Sequence, residues 1–378
     1  MAAHELPADY LSSAAGHWRL QRYPLRSHDP LQAWDSGDVL LHQRMAAHSS
    51  QLPLLVNDQF GALAVACQQP RIIAMSDSYI STCGWQHNLK INQLATEIVP
   101  ITGLDTVPAG VDLVVLKLPK SSSLLQFQLQ QIAASLSQPI QLFAAAKSKL
   151  FTPAIRALFE QYCDQVSVSL IEKKARVLSA QLRPLASAAA TPAPMTCWHD
   201  PAYPLQLCQY AGVFARKQLD IGARLLLDNL PAAGAEQVID LGCGNGVLGL
   251  RYAQLSPQSE VLWVDESYLA VASCQHNIAL NLGASAHYQC HVDDCLSQQA
   301  DASADLILCN PPFHQEHAIT THIAQQMFRD SKRVLRYGGE LRVVANRHLA
   351  YHLVLERLFG GVTVVASNPK FVVLSARR

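Results

Sequence analysis

The chain has 378 residues, of which 49% are hydrophobic and 15% are charged, so it is long enough for two domains that each bury a core. Lysine plus arginine equals aspartate plus glutamate at 29 each, which excludes an overall basic field and leaves only a local patch to bind a polyanion. The ten cysteines form no CxxC pair, and no apolar run reaches about 18 residues, so we expect a cytoplasmic protein with buried thiols and no membrane partner.

The first half of the chain contains a stretch that recurs in the second half. MSDSYISTCGWQHN at Met75–Asn88 and VDESYLAVASCQHN at Val264–Asn277 share an acidic residue, Ser-Tyr, a cysteine, and His-Asn at the same distance from the tyrosine. LLVNDQFGALAVAC likewise parallels IDLGCGNGVLGLRY, and VDLVVLKLPK parallels ADLILCNPPF. Self-similarity over the length of a domain indicates two copies of one fold in tandem.

A segment rich in small residues and proline separates the two copies. RPLASAAATPAPMTC, from Arg183 to Cys197, has neither helical nor strand periodicity, which is typical of a linker. The sequence therefore predicts a first domain at 1–183, a linker at 184–197 and a second domain at 198–378.

The second half alternates short apolar runs with longer amphipathic ones. EQVIDLG, EVLWVD, ADLILCN and ELRVVAN read as strands, and the segments between them read as helices. Alternating strands and helices predict an α/β fold with a parallel sheet. VTVVAS and KFVVLSA, joined by a short turn, predict an antiparallel pair that closes the sheet.

A glycine-rich turn follows the first of these strands. The strand delivers Asp240, and Gly242, Gly244 and Gly246 follow at alternate positions before a helix begins. Glycines in such a turn let the backbone adopt left-handed conformations and let a ligand approach its amides. The next strand ends in Asp265, where a carboxylate can accept both hydroxyls of a ribose. This pattern predicts a nucleotide-like ligand, although a tight strand-to-helix turn without a ligand would also use glycine.

The tetrapeptide NPPF follows the fourth strand of the second half. Two successive prolines fix the backbone as an extended loop at the carboxyl edge of the sheet, where ligands of such folds bind. The Asn310 side-chain oxygen and the Pro311 carbonyl can then act as two fixed acceptors, and Phe313 offers a flat apolar face. This arrangement suits a planar ring with an exocyclic amino group, held by both amino hydrogens and stacked on the phenylalanine.

These motifs carry a family resemblance. DLGCGNG, Asp265, the pair Asp293-Asp294 and NPPF, in that order, resemble the class I S-adenosylmethionine-dependent methyltransferases that methylate amino groups. NPPFHQ together with GGELRVVANRHLAY resembles, more narrowly, the bacterial ribosomal RNA guanine-N2 methyltransferases of the large-subunit type, methyltransferase G. The resemblance covers the whole chain and implies two tandem Rossmann-like class I methyltransferase domains that arose by internal duplication.

The resemblance also implies a reaction and a set of site residues. It implies methyl transfer from S-adenosyl-L-methionine to N2 of a specific guanine in 23S large-subunit ribosomal RNA, with the base flipped out or single-stranded. The implied catalytic residues are Asn310, Pro311 and Phe313. The implied cofactor residues are Asp240, Gly242, Gly244, Gly246, Asp265, Asp293, Asp294 and, from the preceding segment, Phe214.

The first copy differs from the second where the chemistry is expected. Asn57 and Gln59 stand in place of Gly242 and Gly244, and Lys117 stands in place of Asn310. The first domain is therefore predicted to be degenerate and to serve substrate recognition, although an ordinary solvated surface is an alternative for its charges. The predicted RNA contacts are Lys117, Lys120, Lys147, Lys149, Lys173, Lys174 and, in the second domain, His314.

Other functions compete with this interpretation. Guanine-N2 methylation of small-subunit rRNA, or amino-methylation of DNA adenine or protein glutamine, would use the same NPPF motif. A non-catalytic RNA-binding protein of ribosome assembly would keep the site only as a remnant, which the intact glycine turn disfavours. His314, His317 and His322 lack the HExxH pattern and a carboxylate partner, so no metal is predicted.

Overall fold

The computed structural model describes residues 7, 9–13, 16–26, 29–185, 195–312 and 317–378, with the backbone alone for 317–321. The chain divides into two compact units, Met1–Pro194 and Met195–Arg378. The division falls inside the stretch predicted as a linker, but the last two residues of that stretch already belong to a strand, Thr196–His199. Within the described part of the chain, no helix is long and apolar enough to cross a membrane.

The first unit is a seven-stranded sheet preceded by a short hairpin. The hairpin consists of β1 (Tyr10–Ser13) and β2 (Gly16–Arg19). The sheet strands are β3 (Pro53–Val56), β4 (Arg71–Met75), β5 (Glu97–Ile101), β6 (Leu113–Lys117), β7 (Ile140–Lys147), β8 (Cys163–Val168) and β9 (Ala175–Leu182). The helices are α1 (Ser36–Ala46), α2 (Ala62–Ala66), α3 (Tyr79–Ile91), α4 (Ser122–Ser135) and α5 (Pro153–Tyr162).

The second unit has the same sequence of elements. Its hairpin consists of β10 (Thr196–His199) and β11 (Gln206–Gln209). The sheet strands are β12 (Gln237–Leu241), β13 (Glu260–Asp265), β14 (Tyr288–Val292), β15 (Ala304–Cys309), β16 (Leu335–Asn346), β17 (Thr363–Ser367) and β18 (Phe371–Arg377). The helices are α6 (Ile221–Leu227), α7 (Val247–Leu255), α8 (Tyr268–Asn281), α9 (His317–Val334) and α10 (Tyr351–Phe359).

The two sheets share one topology. Their strand orders are β5-β4-β3-β6-β7-β9-β8 and β14-β13-β12-β15-β16-β18-β17, with five parallel strands and an antiparallel pair at one side. The strand order reverses beside β3 in the first sheet and beside β12 in the second. Each sheet therefore has a crevice at its carboxyl edge, between β3 and β6 in the first sheet and between β12 and β15 in the second. This confirms the predicted pair of Rossmann-like α/β domains, including the antiparallel closure.

The cores lie on both faces of each sheet. Leu54, Leu55 and Val56 of β3 are fully buried, as are Leu308 and Cys309 of β15. Strands covered by helices on both faces need apolar side chains in both directions, which explains the continuous apolar runs in the sequence.

The recurring Ser-Tyr pair marks the start of the same helix in each unit. Ser78 is the N-cap of α3, and its side chain accepts a hydrogen bond from the Ser81 amide. Ser267 caps α8 in the same way, through the Ala270 amide. A serine at this position satisfies an amide that the first helical turn would otherwise leave unpaired.

The recurring asparagine fastens the hairpin to this helix. In the second unit, the Asn277 side chain accepts a hydrogen bond from the Cys208 amide and donates to the Cys208 carbonyl, at 2.8 Å each. Asn281, one turn later, makes the same pair of bonds with Gln206. Asn277 also donates to the carbonyl of Asn245 in the glycine turn, at 2.9 Å.

The first unit repeats this arrangement. Asn88 pairs with the amide and carbonyl of Gln21 and donates to the Phe60 carbonyl. Asn92 pairs with the amide and carbonyl of Arg19. Two asparagines spaced by one turn therefore connect the helix to an edge segment through paired hydrogen bonds, and this packing role explains why both copies have the asparagine of the His-Asn pair.

One pair of cysteines departs from the expectation of free thiols. Cys197 and Cys208 lie opposite each other in β10 and β11 and form a disulfide, with their Cα atoms 4.0 Å apart. The expectation was wrong for this pair because a cross-strand register, and not a short sequence spacing, brings the two residues together. The other cysteines are free, and Cys274 and Cys309 are among those that are buried.

Candidate active site

The glycine turn between β12 and α7 has the backbone that the sequence predicts. Gly242, Gly244 and Gly246 have φ angles of +71°, +55° and +85°, a region that residues with a Cβ rarely adopt. A Cβ on Gly246 would lie 2.5 Å from the Cys274 sulfur, so this glycine lets α7 and α8 pack closely. A Cβ on Gly244 would meet no atom within 4 Å. Gly244 therefore faces open space at the carboxyl edge of the sheet.

Asp265 stands beside this turn at the end of β13. One oxygen of its carboxylate accepts a hydrogen bond from the Gly244 amide at 2.9 Å, and the other accepts one from the Ser267 amide at 3.0 Å. Burial raises the pKa of Asp265, against the lowering effect of these hydrogen bonds. Asp265 is half-buried as a residue, and the lone pairs that these two hydrogen bonds leave can accept hydroxyl groups of a ligand.

Asp240 lies below the turn and is fully buried. One carboxylate oxygen accepts a hydrogen bond from the Gly249 amide at 2.9 Å, and the other has no partner within the described ranges. Burial raises the pKa of Asp240 to about 8. Because this side chain is fully covered, Asp240 is suited to fix the start of α7, and with it the glycine turn, through the Gly249 amide.

The two aspartates after β14 have different surroundings. Asp293 is buried and accepts hydrogen bonds from the Ser297 hydroxyl and the Gln298 amide, so it caps the following turn. Asp294 accepts one from the Gln326 side chain at 2.9 Å. Burial raises the pKa of Asp294 to about 6, and the nearby carboxylates of Asp330 and Asp293 add to the rise. Because the pKa of Asp294 lies close to neutral pH, its carboxyl group can accept a hydrogen bond from a ligand or donate one to it.

Phe214 comes from the segment after β11. Its side chain is 50% exposed, which is unusual for a large aromatic residue. Its carbonyl accepts a hydrogen bond from the side chain of Gln209 at 3.2 Å.

The NPPF loop begins at the end of β15, next to the crevice beside β12. The side-chain oxygen of Asn310 is buried and accepts no hydrogen bond from any residue that the structure describes. Pro311 is buried, whereas Phe313 and His314 lie outside the described residues. A buried acceptor without a donor costs about 1–3 kcal/mol, so its persistence at a sheet edge is typical of a ligand site.

Tyr351, at the start of α10, was not singled out by the sequence. It is 2% exposed and packs edge-on against Phe328, with the ring centroids 5.3 Å apart. Its hydroxyl has no hydrogen-bond partner among the residues described. Tyr351 follows β16, the neighbour of β15, so a second unpaired polar atom lies at this edge of the sheet. The sequence offers no signal for it, since buried tyrosines are common in cores.

These groups fit the cofactor that the resemblance implies. The open space at Gly244 can take an extended ligand, and the adjacent Asp265 carboxylate can hold a ribose. Asn310, with its unpaired acceptor, follows the neighbouring strand β15 at the same edge of the sheet, among the residues described.

The corresponding crevice of the first unit is filled by side chains. Asn57, which replaces Gly242, has a φ angle of +60° and forms a two-way amide pair with Gln128 at 2.8 and 3.0 Å. It also donates to the Lys117 carbonyl at 3.0 Å. Polar side chains of the protein thus meet in the crevice at the position that corresponds to Gly242.

Lys117, one of the predicted RNA contacts, differs from the other predicted lysines because it lies in an ion pair within the first unit. Its ammonium is paired with the carboxylates of Asp35 and Asp38 of the first unit, and its side chain is only 17% exposed. Burial alone would lower the pKa of Lys117, but the two carboxylates hold that pKa above its ordinary value. A lysine that is paired with the buried carboxylate of Asp38 and the half-exposed carboxylate of Asp35 offers less positive charge to a phosphate group than its exposed neighbours do.

The remaining predicted lysines are exposed. Lys147, Lys149, Lys173 and Lys174 line a cavity of about 400 Å³ at the carboxyl edge of the first sheet. Lys173 and Lys174 form the tip of the β8–β9 hairpin, with φ angles of +46° and +66°. Lys120 is also exposed, after β6.

Among the described residues, no group of three or more His, Cys, Asp or Glu side chains is arranged to hold a metal ion. His322 lies within α9, and the side chain of His317 is outside the described set.

Family comparisons cover both units. Residues 204–375 match the Methyltransferase small domain, and residues 8–184 match the RLMG N-terminal domain. The T. thermophilus 16S rRNA N2 G1207 methyltransferase, solved in complex with AdoMet and guanosine, superposes with a TM-score of 0.76 at 22% identity, over 98% of this chain and 97% of that one. The fold and the glycine-turn site together define an S-adenosylmethionine-dependent class I methyltransferase.

Curated relatives place the chain more narrowly. Ribosomal RNA large subunit methyltransferase G of Aeromonas salmonicida is 44% identical over 97% of this chain and 98% of the relative. The proteins of that name from Vibrio parahaemolyticus and Shewanella putrefaciens are 41% and 40% identical, over 95% and 97% of this chain and 94% and 98% of their own length. The chain belongs to the family of ribosomal RNA large subunit methyltransferase G.

Proposed function

We propose that the protein transfers a methyl group from S-adenosyl-L-methionine to the exocyclic N2 amine of a guanine in large-subunit ribosomal RNA. The relatives at 40–44% identity are named ribosomal RNA large subunit methyltransferase G, and they match nearly the full chain. One observation carries the proposal. The side-chain oxygen of Asn310, beside the crevice of the second sheet, is buried and has no hydrogen-bond partner among the described residues.

The proposed chemistry needs acceptors and alignment more than acid–base groups. S-adenosyl-L-methionine supplies a methyl group that is already activated by a sulfonium centre. Asn310 and the Pro311 carbonyl would each accept one amino hydrogen of guanine, which directs the nitrogen lone pair away from the loop. Phe313 would stack on the ring, and His314 would contact the RNA beside it. The proton released from the amine leaves to water.

The cofactor contacts divide between direct and supporting residues. The backbone at Gly242, Gly244 and Gly246 would border the methionine part, and Asp265 would accept the ribose hydroxyls. Asp293 or Asp294 would approach the adenine, and Phe214 would cover the site. Asp240 would hold the turn through Gly249.

We further propose that the first unit positions the RNA. Phosphate groups of the RNA would contact the lysines that line the cavity of the first unit, which are Lys147, Lys149, Lys173 and Lys174. Lys120, which follows β6, would add a further contact. Such contacts orient the RNA without reading its sequence. The target base must leave its stack to reach the Asn310 loop, at a cost of a few kcal/mol for a paired nucleotide. A cytoplasmic location fits an rRNA substrate and the eight free cysteines, whereas the Cys197–Cys208 disulfide is atypical of that compartment.

The test is transfer of radiolabelled methyl groups to protein-free large-subunit rRNA, assembled large subunits, small-subunit rRNA, DNA and total protein. We expect label in large-subunit rRNA as N2-methylguanine. Asn310→Ala should lower kcat by roughly 100-fold, because one acceptor for the amine is lost. Its affinity for S-adenosylhomocysteine should stay within about twofold, since Asn310 is assigned to the substrate.

The matched control is Asn229→Ala. Asn229 is a half-buried asparagine whose side chain bonds the Leu225 carbonyl at the end of α6. This variant should retain wild-type transfer. Label in DNA or protein, or in small-subunit rRNA alone, would overturn the substrate assignment, and full activity of Asn310→Ala would overturn the role of the loop.

A further inference from the structure

The side chain of Gln209 joins two parts of the cofactor site. It is completely buried at the end of β11. Its oxygen accepts a hydrogen bond from the Asn245 side chain at 2.8 Å, and its nitrogen donates to the Phe214 carbonyl at 3.2 Å. One amide therefore spans the glycine turn on one side and the segment that carries Phe214 on the other.

The turn side of this link is part of a longer chain of amide bonds. Asn245 lies between Gly244 and Gly246, its carbonyl accepts from Asn277, and its side-chain oxygen accepts from the Val247 amide at 3.3 Å. The side chain of Asn245 thus faces both the start of α7 and Gln209. A shift of Gln209 would move a residue whose two neighbours are left-handed glycines.

The other side of the link is a strained segment. Ala215, directly after Phe214, has a φ angle of +59°, a conformation that costs a residue with a Cβ about 1 kcal/mol or more. Such a conformation persists only when neighbouring contacts hold it. The bond from Gln209 to the Phe214 carbonyl is one of these contacts, and the half-exposed phenyl ring is what the segment presents.

The first unit shows that the fold does not require this amide pair. The hairpin and the pair of asparagines are present there, with Gln21 in the position of Cys208. The next residue is Arg22, whose guanidinium lies over the Phe60 ring at 5.3 Å, and Phe60 stands where the second unit has Asn245. The amide pair is therefore found in the copy with an open glycine turn and is replaced in the copy whose crevice is filled.

We propose that Gln209 is a positioning residue for the cofactor, which fixes the glycine turn and Phe214 at one separation so that both can contact the same ligand. This inference rests on the proposed function in that both place S-adenosyl-L-methionine between the glycine turn and Phe214. Gln209 is fully covered, so it acts through Asn245 and Phe214 and not by contact with the ligand.

Calorimetric titration with S-adenosylhomocysteine, without RNA, tests the proposal on the full chain. Gln209→Met keeps the length of the side chain and removes both hydrogen bonds, and we expect its Kd to rise at least about tenfold. Gln209→Glu keeps an acceptor for Asn245, but it loses the amide donor to Phe214 and places a carboxyl group in a fully buried position, so a rise in the Kd is expected for this variant as well. The KM for S-adenosylmethionine should follow the Kd, whereas kcat at saturating cofactor and the KM for RNA should stay within about twofold.

Arg22→Met is the counterpart in the first unit and should leave the Kd for S-adenosylhomocysteine unchanged. A wild-type Kd in Gln209→Met, or an equal rise in Arg22→Met, would overturn the proposal. If Gln209→Met does not fold, Gln209→Glu provides the test. A wild-type Kd in that variant would show that the hydrogen bond from Gln209 to the Phe214 carbonyl does not affect cofactor affinity. Because the titration contains no RNA, failure of the substrate assignment would leave this result unaffected.

Discussion

Replacement of Gly244 by alanine separates the cost of backbone strain from the cost of filling the cofactor site. Gly244 has a φ angle of +55°, and an added Cβ would meet no atom within 4 Å. Gly283, after α8, is a matched control, with a φ angle of +78° and the same open surroundings. Each substitution should lower the free energy of unfolding by about 1 kcal/mol, because left-handed strain exceeds the entropy that alanine removes from the unfolded chain.

The two variants should differ in ligand affinity. The space beside Gly244 belongs to the crevice next to Asp265, so the new methyl group would compete with the ligand there. Overpacking by one carbon costs about 1–3 kcal/mol, which corresponds to a rise of roughly 5- to 150-fold in the Kd for S-adenosylhomocysteine. Gly283→Ala should keep the wild-type Kd.

Urea denaturation and calorimetric titration measure the two quantities separately. An unchanged Kd in Gly244→Ala would refute the placement of the ligand against this turn. An equal loss of affinity in Gly283→Ala would show that the effect is global and comes from stability alone.

Three further outcomes are expected. Gly246→Ala should lower the free energy of unfolding by about 1–3 kcal/mol beyond the strain, because the Cβ would lie 2.5 Å from the Cys274 sulfur, and urea denaturation checks this. Asp240→Asn should stabilise the protein relative to wild type, and the difference should grow as the pH rises from about 4 to 8. The reason is that the pKa of the buried Asp240 carboxyl is raised to about 8, so keeping it unionised or ionising it in the folded state costs folding energy in that window. Melting temperatures of both proteins across this pH range test the sign, and a constant difference between the two melting temperatures would contradict it. Lys117→Met should destabilise the first unit by about 3–5 kcal/mol by leaving the buried carboxylate of Asp38 without its cation, whereas a surface role would predict no loss in urea denaturation.

The sequence predicts the features that depend on short spacing. The glycine turn, Asp265 at the end of the next strand and NPPF after β15 are local patterns, and the parallel topology places their strand ends at one edge. The duplication was visible for the same reason, because helix caps and the pair of asparagines need fixed spacings within a helix.

The sequence does not predict pairings between distant elements. Lys117 meets Asp35 across 82 positions, and the Gln209–Asn245 amide pair spans 36. Both depend on the packing of a helix or hairpin against the turn, which no local periodicity encodes. Charge alone made Lys117 resemble its exposed neighbours, and only the fold shows that it lies in an ion pair.

The two units treat the polar groups at the carboxyl edge of their sheets differently. In the first, Asn57, Gln128 and Lys117 supply hydrogen bonds from within the chain, whereas the second keeps an open space at Gly244 and an unpaired acceptor at Asn310, within the described ranges. A ligand that binds only the native state stabilises the unit that holds it, so S-adenosylhomocysteine should increase amide-exchange protection at 242–246. Residues 57–61 should show no increase, because Asn57 and Gln128 already pair with each other in the crevice of the first unit. Equal protection of both turns would contradict the assignment of a single cofactor site, and hydrogen exchange read out by mass spectrometry distinguishes the two peptides directly.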